Sequence, residues 1–197
     1  GVYSQTILMT PWTEQVNPTN PHPEYPEPQL ERTVWQSLNG PWDFAILPKG
    51  SSPESGFAGK ILVPFPVESY LSGVQENVGP ENELWYERSF DLQLNPKGKR
   101  IILKFGAVDW EAEVWVNDKQ VGKHQGGFDS FSFDITHHLA KGKSQKIRVR
   151  VWDPSDAGPQ PRGKQVKDPK GIWYTPVTGI WQSVFLLEVP SGYISST

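Results

Sequence analysis

Cysteine is absent from the 197 residues. That excludes disulfide scaffolds, thiolate metal sites and cysteine nucleophiles, yet fixes no redox compartment. An excess of either charge is missing too: 19 basic against 22 acidic residues leave a net charge of −3. No electrostatic pull toward nucleic acid follows from that balance. Long apolar runs are missing as well. None exceeds four residues, as in Val184 to Leu187, too short for a transmembrane helix. No charged-then-apolar leader opens the sequence, so no signal peptide is expected at its start. A leader already removed remains compatible with the expected periplasmic or secreted location.

What is abundant is aromatic: 12% of residues, with nine Trp against one Met. Such side chains bury a large apolar body and keep a polar edge. They suit a β-sheet core, and they also suit a platform on which sugars stack; composition favours the core. Gly (18) and Pro (19) are numerous without reaching low complexity.

Residues 1–29 carry six prolines, which deny backbone donors and favour extended chain. They are expected to form a Pro-rich arm, and residues 30–197 the folded domain. That body alternates short apolar segments with turn residues, and no window shows helical spacing. Residues 146–151 alternate Lys–Ile–Arg–Val–Arg–Val, which sends Ile147, Val149 and Val151 to a core and the cations to solvent. Residues 108–116 read as one strand, with Val108, Trp110, Ala112, Val114 and Val116 inward and Asp109, Glu111, Glu113 and Trp115 outward. Asn117–Asp118 then predicts a tight hairpin turn. Further strands are expected at 42–47, 60–63, 85–92, 100–105, 130–134 and 181–189, with one helical turn at 136–140. Roughly nine strands with Gly/Pro turns predict an antiparallel sandwich of jelly-roll or immunoglobulin kind.

From Asp153 to Ile172, 20 residues lack any periodic apolar pattern. A structureless stretch this long is usually functional or disordered. It holds Arg162, Lys164, Lys167 and Lys170, and Trp173 and Tyr174 stand at its exit. Glu111 and Glu113 lie two apart on a strand, with Cα atoms roughly 6.5–7 Å apart. Paired carboxylates at such spacing serve glycosidases. An ordinary strand face with Lys or Arg opposite explains them better, because a catalytic acid needs a pocket that raises its pKa. The four histidines are badly spaced for zinc, calcium-loop spacing is lacking, and no phosphate-cradling glycine motif occurs. No metal and no cofactor are expected.

Several motifs together resemble one family. Leu38–Asn39–Gly40–Pro41–Trp42–Asp43–Phe44 is similar to the opening of the N-terminal sugar-binding domain of family 2 glycoside hydrolases, the β-galactosidase and β-glucuronidase group. Val63–Pro64–Phe65–Pro66–Val67–Glu68–Ser69 and Leu84–Trp85–Tyr86–Glu87–Arg88–Ser89–Phe90 resemble its next signatures. Val114–Trp115–Val116–Asn117, Val121–Gly122–Lys123–His124, Gly126–Gly127–Phe128 and the run from Phe131 to Thr136 follow in order. Arg162–Gly163–Lys164–Gln165, Gly171–Ile172–Trp173–Tyr174 and Gly179–Ile180–Trp181–Gln182 complete the set. The resemblance spans about residues 30–190. It implies an all-β, antiparallel jelly-roll β-sandwich of the galactose-binding-domain-like kind.

It also implies a role. In that family the sandwich precedes an immunoglobulin-like domain and a (β/α)8 barrel that carries both catalytic glutamates. No catalytic residue is therefore expected in this chain, and hydrolysis by it alone is not expected. An aspartate after the strand matching residues 146–152 reaches the barrel-bound sugar in the β-galactosidases. Asp153 matches it best, with Asp156 as the alternative. Arg162, Lys164, Gln165, Trp173 and Tyr174 are the other carbohydrate-contact candidates. The implied partners are a carbohydrate and the downstream domains, with no nucleic acid and no membrane. Two further readings stay open: a free-standing lectin-like module with Trp115, Trp173 and Tyr174 as its platform, or a purely structural docking domain.

Overall fold

Period-two alternation makes strands here because each pleat sends neighbouring side chains to opposite faces. The computed structural model describes residues 34–54, 56–154 and 177–191. Among these residues there are twelve strands and no α-helix. The strands are β1 (Val34–Ser37), β2 (Gly40–Pro48), β3 (Gly59–Val63), β4 (Asn82–Asp91), β5 (Lys99–Phe105) and β6 (Val108–Asp109). There follow β7 (Glu111–Val116), β8 (Lys119–Gln125), β9 (Phe131–Asp134), β10 (Ser144–Trp152), β11 (Gly179–Ile180) and β12 (Val184–Pro190). The arm expected at 1–29 and the segment 155–176 lie outside the described residues.

Two antiparallel layers form, as the alternation predicts. One sheet has the order β1-β12-β5-β9 and the other β3-β2-β4-β10-β7-β8, while β11 and β6 pair alone. In β10, Ile147, Val149 and Val151 are fully buried, and Lys146, Arg148 and Arg150 point away from the core. The hairpin between β7 and β8 turns through Asn117 and Asp118, both at positive φ. Asn117 also ties the turn down: its Nδ2 donates to the His138 carbonyl at 2.9 Å and its Oδ1 accepts from the Lys146 amide at 3.0 Å.

The core lies between the layers. Trp42, Tyr86 and Phe105 are its largest fully buried side chains. Burying such rings removes about 150–250 Å² each from water, worth roughly 4–6 kcal/mol at about 25 cal/mol/Å² as an upper figure. Polar edges are satisfied: Trp42 Nε1 donates to the Leu38 carbonyl at 2.8 Å. Asn39 staples the layers, its Nδ2 donating to Ser183 Oγ at 3.0 Å and its Oδ1 accepting from the Val184 amide at 2.9 Å. The abundant tryptophans are thus partly core, as composition favours.

Three expectations need correction. Residues 108–116 are not one strand: the ladder breaks at Trp110, so β6 pairs with β11 while β7 joins the large sheet. The break turns Asp109 inward, where it is 7% exposed, rather than outward with Glu111. The helical turn is shorter than expected, a 3-10 turn at Thr136–His138. Asp134 Oδ1 accepts the Thr136 amide at 3.0 Å just before it. Strand β1 lacks a sequence signal because its residues do not alternate cleanly.

Candidate functional site

One end of the sandwich gathers buried acids. Strand β10 ends at Trp152, whose ring Nε1 donates to the Pro80 carbonyl at 2.9 Å. Lys49 Nζ sits 3.2 Å from the centre of the same ring, which fixes the strand's end from the other side. Asp153 follows directly and is 6% exposed. Its Oδ2 accepts from Thr178 Oγ1 at 3.1 Å. Thr178 also donates its amide to Glu68 Oε2 at 3.0 Å, and its carbonyl accepts the Val67 amide at 3.3 Å. Beyond Thr178, Gly179 pairs with Asp109 across the β11–β6 ladder. One threonine and one two-residue ladder therefore bring Glu68, Asp109 and Asp153 to the same end.

Glycine is needed at two points. A Cβ on Gly179, whose φ is +93°, would lie 2.1 Å from Tyr86 Oη. That hydroxyl instead accepts the Ile180 amide at 3.1 Å. A Cβ on Gly127 would lie 2.7 Å from Asp109 Oδ1. The backbone at Gly127 therefore closes over the Asp109 carboxylate without displacing it.

Electrostatics at this end favour protons. Burial pushes the Glu68 carboxyl up to about 7; the hydrogen bonds from Thr178 pull it down and nearby Asp153 raises it further. Burial also pushes Asp109 up to about 7, helped by the negative charges of Asp153 and Glu68. Burial raises the Tyr86 hydroxyl in the same way. The cause is common to all three: a desolvated anion beside other anions is disfavoured. Among the described residues Glu68 Oε1 is buried without a hydrogen-bond partner. Among the described residues the Asp109 carboxylate receives no hydrogen bond and no ion pair. The same residues hold no group of three or more His, Asp or Glu arranged to bind a metal ion.

An aromatic edge adjoins the acids. Trp181 Nε1 donates to the Gly127 carbonyl at 2.8 Å. Phe128 is 59% exposed and meets Trp181 edge-to-face, with ring centres 5.9 Å apart.

Of the residues expected to touch carbohydrate, Asp153 belongs to this cluster. Arg162, Lys164, Gln165, Trp173 and Tyr174, with the alternative Asp156, lie outside the described residues. Glu111 and Glu113 behave as an ordinary strand face. Arg150 Nη2 lies 3.3 Å from Glu111 and 2.9 Å from Glu113, and Lys123 also pairs with Glu113. Trp115 stacks on Trp85 with ring centres 5.7 Å apart, so one of its faces is already covered. Sequence reasoning missed Glu68, Asp109 and Thr178. Only the Val67–Glu68–Ser69 signature and the Gly179–Ile180 signature hinted at the first and last.

The fold is thus a two-layer antiparallel sandwich with buried acids and an aromatic edge at one end. The sequence assigns it further. A model of the glycosyl hydrolases family 2 sugar binding domain matches residues 60–190, and the chain belongs to that family. A β-glucuronidase of Paenibacillus borealis is 28% identical over 133 residues, which cover 64% of this chain and 22% of that protein. A β-galactosidase of Thermoanaerobacter pseudethanolicus is 33% identical over 103 residues, 52% of this chain and 13% of that protein. The solved Lactobacillus rhamnosus β-glucuronidase superimposes with a TM-score of 0.66 at 28% identity, over 85% of this chain and 30% of that one. The chain thus spans about a fifth of the first of these relatives' length.

Proposed function

We propose that the chain is the non-catalytic sugar-binding sandwich of a family 2 glycoside hydrolase and forms one wall of its substrate pocket. The rest of the pocket, with the glutamates that break the glycosidic bond, belongs to a (β/α)8 barrel reached through an immunoglobulin-like domain. Asp153 supplies the wall's contact, accepting hydrogen bonds from sugar hydroxyls. One observation carries the reading: Asp153 leaves the central strand β10 already oriented by Thr178, inside a domain of the sugar-binding family. Preorganised acceptors of this kind cost little to position when the sugar arrives. By kinship, β-glucuronides and β-galactosides are both candidate substrates. A secreted or periplasmic setting suits a glycan-degrading enzyme of this kind.

The test is Asp153→Asn in the full-length enzyme. A lost hydrogen bond to a charged acceptor is worth about 1.5–3 kcal/mol, so kcat/KM falls about ten- to a hundredfold. Unchanged kinetics would show that the wall does not touch substrate.

A further inference from the structure

The smaller sheet carries a second apolar face. Alternation along β12 sends Val184 and Leu186 to the core and Phe185, Leu187 and Val189 to the opposite side. On that side Leu187 stands between Ile102 of β5 and Trp35 of β1. Trp35 meets Phe185 edge-to-face, with ring centres 6.5 Å apart. Ile102, Phe185, Leu187 and Val189 are between 4% and 8% exposed. The outer face of an antiparallel sheet commonly meets water and carries polar side chains. Large apolar side chains shielded this deeply on such a face call for a covering layer. Among the described residues, Trp35 is the hydrophobic side chain packed on them.

Residues 1–33 lead directly into β1, the edge strand that carries Trp35. Their composition matches the face. Ile7, Leu8, Met9, Trp12 and Tyr25 supply apolar groups, and Glu14, Glu24, Glu27 and Glu31 stand against a single cation, Arg32. The face itself bears cations. Lys104 Nζ lies 5.9 Å from the centre of the Phe185 ring, and Arg100 stands opposite Val189, paired with Asp134. Residues 155–176 have the opposite balance, four cations against Asp156 and Asp168, and suit that face less. Six prolines among residues 1–29 remove ladder donors, so this segment is ill suited to extend the sheet and better suited to cross it. From β1 to β9 is about 14 Å at about 4.8 Å per strand, which about five residues of polyproline II chain span.

We propose that residues 1–33 dock across the outer face of the β1-β12-β5-β9 sheet. Their apolar side chains cover Ile102, Phe185, Leu187 and Val189, and their acids lie toward Lys104. The contact closes a face that would otherwise offer an apolar patch to other molecules.

Because the sequence has no cysteine, one introduced thiol takes one nitroxide label. Ser132→Cys puts the label on this outer face, across from Lys104. Lys60→Cys puts it on the outer face of the other sheet, as a control. In the NMR spectrum of the 197-residue chain, non-proline amides of residues 2–33 should lose most of their intensity with the Ser132→Cys label. They should keep it with the Lys60→Cys label. Adding Lys104→Glu, which leaves the core untouched, should restore much of the intensity at residues 14–31. Amides of residues 2–33 unaffected by the Ser132→Cys label, or weakened equally by both labels, would overturn the proposal. So would a loss carried from a nitroxide-bearing chain to an isotope-labelled one in a mixture, since the occupant is then a second copy. Undiminished losses in Lys104→Glu would remove the charge pairing and leave only the apolar contact.

Discussion

Replacing Asp109 by Asn takes one ionisable group out of a place that tolerates charge poorly. In the unfolded chain this carboxyl titrates at its ordinary value of 3.8, and in the fold at about 7. The folded state therefore holds the proton more tightly. Its contribution to stability is fully present below pH 4 or so and is lost as pH rises through about 7. At 1.36 kcal/mol per unit the whole window is worth about 4 kcal/mol. Glu68 shifts in the same direction and its charge helps raise Asp109, so one substitution recovers only part of that sum. Between pH 5 and pH 8 the wild type should lose about 2–3 kcal/mol more than the Asn variant. Urea unfolding at both pH values, followed by the fluorescence of the nine tryptophans, measures it. Parallel pH dependence in the two proteins would refute the burial argument. A variant stabilised at pH 5 but not at pH 8 would refute its sign.

Other outcomes follow from the packing. Gly179→Ala places a methyl 2.1 Å from Tyr86 Oη at a φ of +93°, and should cost about 3 kcal/mol or more in urea unfolding. Asn39→Ala leaves the Val184 amide unpaired between the layers and should cost about 2–3 kcal/mol. Arg150→Met strands Glu83, Glu111 and Glu113 without their shared guanidinium. With Arg150 about a fifth exposed, a loss of about 2–3 kcal/mol at neutral pH is expected. The 197-residue chain alone should leave a chromogenic β-galactoside and β-glucuronide uncleaved; turnover abolished by Glu111→Gln would contradict its non-catalytic role.

The sandwich was legible wherever side-chain alternation is strict. Strand β10 shows this best, since Lys146, Arg148 and Arg150 cannot share a core with Ile147, Val149 and Val151. The Asn117–Asp118 turn was legible because both residues tolerate left-handed backbone. Asp153 could be placed only through the family resemblance, which implies a sugar-contacting aspartate just after that well-marked strand. Asp109 could not. In a strict two-residue period it shares a face with Glu111, and only the break at Trp110 and the pairing of β6 with β11 turn it inward. The two-residue strand β11 has too few side chains for any pattern, so the meeting of Thr178 with Glu68 and Asp153 had no sequence signature. Glu68 is 110 residues from Thr178 along the chain, a separation that only the fold closes.

The role of this end of the sandwich is tested most directly by a crystal structure of the full-length enzyme with a glycoside bound. The account predicts an Asp153 carboxylate oxygen within about 3 Å of a sugar hydroxyl. A bound sugar with Asp153 turned to bulk solvent, or covered by another domain away from the ligand, would contradict it.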